Sequence, residues 1–276
     1  MNLMRLAAAL ALVGSAIVWS SGAGAQLPLE PRQNSGQSIT PAFEGWFKNP
    51  DGTFSLLVGY YSRNQNQTLD IPIEPENRID PGGPDQGQPT QFLLRRQWGV
   101  FTIRVPADFG DKKLTWTLVA NNQTMTVPMG LNRDYEVEPY KDQAEGNTPP
   151  ILKLEPQGPA FQGPPLRIAA SRTTTSSGPL TLTVWATDDA KVDPSRRVPA
   201  TPVSVSWSTF RGPGNVTFSN PRPSVDKADG RATTTATFSA PGEYILRAQA
   251  NDVSGDGGGG FQCCWTNAHV AVTVSP

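Results

Sequence analysis

The chain has 276 residues, with 23 basic and 24 acidic side chains, a single histidine and two cysteines. A formal charge of −1 without any basic stripe argues against a nucleic-acid partner. Its 27 prolines and 26 glycines mark a loop-rich protein, but 37% apolar residues are enough for a packed core, so disorder is excluded as a description of the whole.

Residues 1–25 read as a cleaved signal peptide. Arg5 opens it, "LAAALALVGSAIVW" is its apolar core, and the small residues Ala23 and Ala25 stand at the −3 and −1 positions of a cleavage site. The apolar run is shorter than the ~20 residues of a membrane span, and no later segment is apolar enough to cross. The expectation is a secreted or periplasmic protein that starts at Gln26, with residues 26–40 as a flexible lead.

Residues 41–140 are expected to form an N-terminal β-sandwich. Helical periodicity is absent and period-2 alternation is frequent. In "TFSLLVGYYS", Phe54, Leu56, Val58 and Tyr60 share a face; in "GVFTIRVP", Phe101, Ile103 and Val105 do; in "LTWTLVA", Leu114, Trp116 and Leu118 do. One-sided alternation predicts antiparallel strands buried on one face. Asn49-Pro50-Asp51-Gly52 is a turn, since Pro presets φ and Gly accepts φ > 0. Residues 75–90 form a long, turn-rich loop. Most aromatics here are core material. Adjacent strand residues cannot both face inward, however, so Tyr60, Tyr61 and Trp98 are the candidates for an exposed, sugar-stacking surface.

The stretch 138–150 has no aliphatic residue before its double proline, and residues 141–148 are read as a linker. From 149 to 276 the alternation resumes. Leu180, Leu182, Val184 and Ala186 share a face, as do Val203, Val205 and Trp207, then Tyr244, Leu246, Ala248 and Ala250, and finally Val270, Val272 and Val274. Six or seven short strands in this length predict an immunoglobulin-like sandwich. The segments "VSVSWSTFRGPGNVTFSNP" and "ATTTATFSAPGEYILRAQANDVSGDG" resemble the PKD and cadherin-like group of immunoglobulin-like domains. The resemblance covers residues 149–276 and is most specific at Ser239–Tyr244. It implies a core position for Trp207, and a spacer, adhesion or accessory role in a secreted protein. The predicted class is therefore all-β, with two β-sandwich domains after a cleaved signal peptide.

Candidate sites are few. Cys263 and Cys264 are adjacent and have no third cysteine to pair with. In an oxidising compartment they form a vicinal disulfide or an intermolecular one, or remain thiols, or hold a soft metal with His269. A vicinal bond would fix a loop tip that presents Trp265 and Asn267 to a partner. Asp188, Asp189, Asp252 and Asp256 follow strand ends that meet at one end of such a sandwich, which suits Ca²⁺, although Asp is also an ordinary turn residue. No G-x-S-x-G or H-E-x-x-H motif occurs. The expected function is an exported, non-catalytic binding or structural module. It would act on another envelope or extracellular protein, or on a glycan. The alternative is a secreted carbohydrate-active enzyme, or its accessory carbohydrate-binding protein, with the site in the N-terminal domain.

Overall fold

The alternation becomes short strands in the computed structural model, which describes residues 33–142, 146–189, 191, 202–252 and 263–276. The expected signal peptide, residues 1–25, lies outside the described residues. Among the described residues the one helical element is a 3-10 turn, Arg133–Tyr135. None of their helices is long and apolar enough to cross a membrane.

In the first half, β1 (Ile39–Lys48), β2 (Phe54–Ser62) and β6 (Arg95–Val105) make an antiparallel sheet in the order β1-β2-β6. Facing it are β4 (Asn77–Asp80), β7 (Leu114–Ala120) and β8 (Gln123–Met129), in the order β4-β7-β8. A short pair, β3 (Leu69–Asp70) and β5 (Gln91–Phe92), completes the half. Leu56, Val58, Tyr60, Phe101 and Ile103 pack against Ile79, Leu114, Trp116 and Leu118, the faces that alternation predicts. Of residues 75–90, expected as one loop, Asn77–Asp80 form β4, and two buried amides, Asn77 and Gln88, tie the segment down. Asn77 Nδ2 donates to the Ile71 and Pro89 carbonyls at 3.0 and 2.7 Å, and Trp116 Nε1 donates to Asn77 Oδ1 at 3.0 Å.

One expectation needs correcting. The β1-β2-β6 sheet is covered on both faces. Leu57, between Leu56 and Val58, is fully buried with Phe47 and with Trp265 of the second half. "SLLV" is thus an unbroken apolar run because each side has a partner.

In the second half, one sheet holds β9 (Ile151–Lys153), β10 (Phe161–Gln162), β12 (Leu180–Thr187), β14 (Val216–Phe218) and β15 (Arg231–Phe238), in the order β10-β9-β12-β15-β14. The other holds β11 (Ile168–Thr175), β13 (Val203–Arg211), β16 (Gly242–Asp252) and β17 (Trp265–Ser275), in the order β11-β17-β16-β13. β11 runs parallel to β17, and the remaining pairs are antiparallel. The first strand region therefore splits between the sheets, as in immunoglobulin-like sandwiches. Trp207 is buried in this core, where the sequence places it.

The "SAPGEY" and "GPG" motifs acquire a common reason. Tyr244 Oη donates to the Ala240 carbonyl at 2.8 Å, which pins the turn before β16 in the manner of a tyrosine corner. The Tyr244 ring fills the space that a side chain at Gly212 would need. Tyr244→Phe should keep the fold and lose about 1 kcal/mol in urea denaturation, the net worth of one hydrogen bond. An unchanged midpoint would show that this bond adds nothing.

The described residues at the expected lead and linker are tied to the fold, although residues 33–36 are exposed. Residues 33–38 run beside 62–67, with the Gln37 N–H donating to Asn64 Oδ1 at 2.8 Å. Tyr140 meets the Phe47 ring edge-on at 5.5 Å, and Asn147 is buried. Hydrogen bonds and one aromatic anchor this stretch in place of aliphatic side chains.

Candidate functional site

Two places gather polar and aromatic groups: a joint between the halves, and a cleft on the first half.

The joint starts from a bulge. Between Val58 and Tyr60 the β2–β6 register shifts, so that Trp98, Gly99 and Val100 crowd opposite Gly59. Gly99 has φ +48, and a Cβ there would overlap the Trp265 ring. The outer edge of the Trp265 ring lies against this bare backbone, and the residue is 1% exposed, beside Phe47 and Leu57. Two residues on, Asn267 donates Nδ2–H to the Gly99 carbonyl at 2.9 Å. Glu44 sits under Gly59, where a Cβ would strike its carboxylate. That carboxylate accepts from the Gly99 N–H at 2.8 Å and pairs with Arg96 at 2.8 Å. Arg247 of β16 donates to Gln97 Oε1 at 2.6 Å. At the far side Arg211 grips Asp85 through both Nη atoms, at 2.7 and 3.0 Å, and donates Nε–H to the Gln88 carbonyl at 2.6 Å. This pairing holds the Asp85 carboxyl below its ordinary range.

His269 occupies the middle of the joint, against Phe210 at 4.2 Å. Burial first, then the neighbouring Arg247 charge, lowers its pKa to about 3, so it is neutral. Phe210 itself joins the first-half core. The second half thus contributes to the packing of the first.

The sequence-predicted residues distribute unevenly. Tyr60 is not exposed: its ring fills the first core, its hydroxyl accepts from the Leu93 N–H at 2.7 Å, and burial raises its pKa to about 12. Tyr61 points outward, 45% exposed. Trp98 is half-buried, with the Arg96 guanidinium 3.9 Å above its ring. No continuous stacking platform forms from these three. Trp265 and Asn267 are also corrected: both are buried, and the surface they meet belongs to the first half of their own chain. Cys263 and Cys264 directly precede β17, their side chains are adjacent and buried, and Cys263 Sγ lies 3.8 Å from the Asn147 carbonyl. Of the acidic set, Asp189 accepts from Thr148 Oγ1 at 3.0 Å and faces Lys191 at 3.6 Å, while Asp252 accepts from Asn147 Nδ2. Asp188 is half-buried beside them in sequence, and Asp256 lies outside the described residues. Both engaged carboxylates meet neighbouring residues 147 and 148, but donors of the chain itself occupy them. Among the described residues no group of three metal-ligating side chains forms.

Sequence reading missed the cleft. It has a volume of about 830 Å³ and lies between the 110–113 loop and the 130–135 segment. Its wall carries Phe43, Tyr135, Lys112, Lys113 and Arg133. Tyr135 is 52% exposed, with its ring 5.6 Å from that of Phe43. It belongs to the single 3-10 turn, which has no periodicity to reveal it. The signal that remained was Asn132, whose Oδ1 accepts from the Asp134 N–H at 3.1 Å and starts that turn.

No protein-family model matches the chain, and no curated protein matches it. Similar solved structures are β-sandwich domains. The D00-D0 domain of intimin is 12% identical, with 87% of this chain and 100% of that one covered and a TM-score of 0.28. The titin M3 domain is 11% identical, covering 40% of this chain and 94% of that one, with a TM-score of 0.23. The fibronectin(III)-like modules of Clostridium thermocellum CbhA are 12% identical, covering 86% and 94%, with a TM-score of 0.23. Likeness at this level transfers no residue role, so function is argued from the chain's own geometry.

Proposed function

We propose that the chain is an exported structural and binding module of the cell envelope or extracellular face. In it, the sandwiches of residues 41–140 and 149–276 are held as one body. The observation that carries this reading is the joint. Trp265 on Gly99, Arg247 on Gln97 and Arg211 on the Gln88 carbonyl fix one sandwich on the other through buried or part-buried contacts, and Arg211 adds an exposed ion pair with Asp85. Domains joined by a polar, mobile interface move by default. A joint built around a buried tryptophan and buried hydrogen-bonded polar groups instead suits a protein that displays surfaces in a set arrangement. The resemblance of residues 149–276 to PKD and cadherin-like domains agrees with a spacer or adhesion role. The test is fractionation of source cells making the full chain with a C-terminal tag. The mature protein should begin at Gln26 and sediment with envelope material until a competing partner or high salt releases it. A chain found in the cytosol with Met1 intact, or free of the envelope, would overturn the reading.

Within this reading Cys263 and Cys264 are oxidised to each other. The compartment is oxidising and no other cysteine exists within the chain. A bond between neighbours closes almost no loop and adds little through chain entropy; its place directly before Trp265 makes it a positioning element for that ring. Intact-mass measurement of the unreduced protein should give a monomer ~2 Da lighter than the reduced form, because the bond removes two hydrogens. A covalent dimer, or two alkylatable thiols, contradicts this.

A second reading is favoured by the cleft: an accessory carbohydrate-binding protein, since Tyr135 offers an exposed ring in a cleft that Phe43 and Val127 also line.

A further inference from the structure

We infer that the cleft beneath Tyr135 binds an acidic oligosaccharide, one pyranose ring stacking on Tyr135 while Lys112, Lys113 and Arg133 meet its carboxylate or sulfate groups. The inference rests on the reading of the chain as an exported binding module and names the ligand class.

Charge is the first observation. Lys112, Lys113 and Arg133 line the cleft against a single carboxylate, Asp111. Among the described residues none of the three cations is in an ion pair. Their charge is therefore available to a ligand, and an anionic one is complementary.

Preorganisation is the second. An exposed aromatic on a mobile loop would have to be ordered on binding, and that costs affinity. Tyr135 avoids this. Its N–H donates to the Asn132 carbonyl at 3.0 Å, and Trp46 Nε1 donates to the same carbonyl at 2.7 Å. The Val137 N–H donates to the Trp46 carbonyl at 2.9 Å. Gly45, with φ +127, lets the backbone of residues 135–137 lie directly on β1; a Cβ there would meet the Tyr135 carbonyl at 2.6 Å. The ring is exposed and its backbone is held.

Shape is the third. The cleft holds about 830 Å³, within the range of small-ligand sites, and half-buried Val127 and Phe43 line it beside Tyr135. A flat ring beside apolar side chains fits the C–H face of a sugar. An acidic polypeptide would use the cations and leave the ring without a role.

The test is titration calorimetry on the purified mature chain at about 50 mM salt, where surface charges act most strongly. The probes are tetragalacturonate, a heparin tetrasaccharide, cellotetraose and tetraglutamate. At least one acidic sugar should bind, with the first two probes separating carboxylate from sulfate recognition. Cellotetraose should bind at least about tenfold more weakly. Tyr135→Ala and the double variant Lys112→Ala/Lys113→Ala should each weaken binding about tenfold or more, a typical effect for anchor residues. Tyr135→Phe should retain affinity to within about threefold. All these side chains lie on the surface, so unchanged thermal midpoints will confirm that the variants fold. No binding of either acidic sugar, equal binding of tetraglutamate, or full affinity in Tyr135→Ala each overturns the inference. Envelope retention of the wild-type chain separates the two proposals. If the wild type is retained and no acidic sugar binds, the cleft assignment fails alone; if the wild type is not retained, the module reading fails.

Discussion

Trp265→Ala is expected to lower the unfolding free energy by about 3–5 kcal/mol, measured by urea denaturation, the cost of deleting a buried aromatic and leaving a cavity. The ring is 1% exposed and has Phe47 and Leu57 on one side and the bare backbone of Gly99 beneath it. Gly99 has no side chain to fill the space the ring would leave. The lost packing joins the two halves, so the variant should also expose the 96–99 segment to proteolysis. A loss under about 1 kcal/mol would mean that the indole is a passenger on the joint.

The second large effect is on pH dependence. His269 is the single histidine of the chain. Its folded-state pKa is lowered to about 3, by burial first and by Arg247 next, from the ordinary 6.5. The unfolded chain therefore takes up a proton that the folded chain refuses. The stabilisation is complete above pH 6.5 and is lost as pH falls toward 3. Linkage gives a loss of about 1.5–2 kcal/mol between pH 6.5 and 5. Ordinary carboxylates titrate mainly below this window, which isolates the histidine. Denaturation at both pH values should show this loss in the wild type and its absence in His269→Gln. Equal slopes in the two proteins would show that His269 is reachable by protons in the folded state.

What the sequence revealed depended on how far away the partner of each residue lies. Trp207 and Tyr244 were legible because their signals are local: alternation along β13 places the indole inward, and the Pro-Gly turn before Tyr244 sits within a few residues of the carbonyl that its hydroxyl binds. Trp265 was misplaced for the opposite reason. Its burial comes from Gly99, on another sheet and far earlier in the chain, and a glycine leaves no apolar mark in the sequence. Leu57 shows the same effect: it lies on the face that alternation assigns to solvent, and the second half covers it. Tyr60 and Tyr61 followed the strand rule, one in and one out, yet only the structure decides which. The cleft went unseen because Phe43, Lys112 and Tyr135 come from three separate segments, and the 3-10 turn that sets Tyr135 has no repeating pattern.

The central claim is that the joint makes one body of the two sandwiches. Backbone ¹⁵N relaxation of the mature chain tests it most directly, since a mobile joint would let each half tumble on its own. Amides of β7 in the first half and of β12 in the second should fit one rotational correlation time, that of the whole chain. Two distinct and shorter correlation times, one for each half, would contradict it.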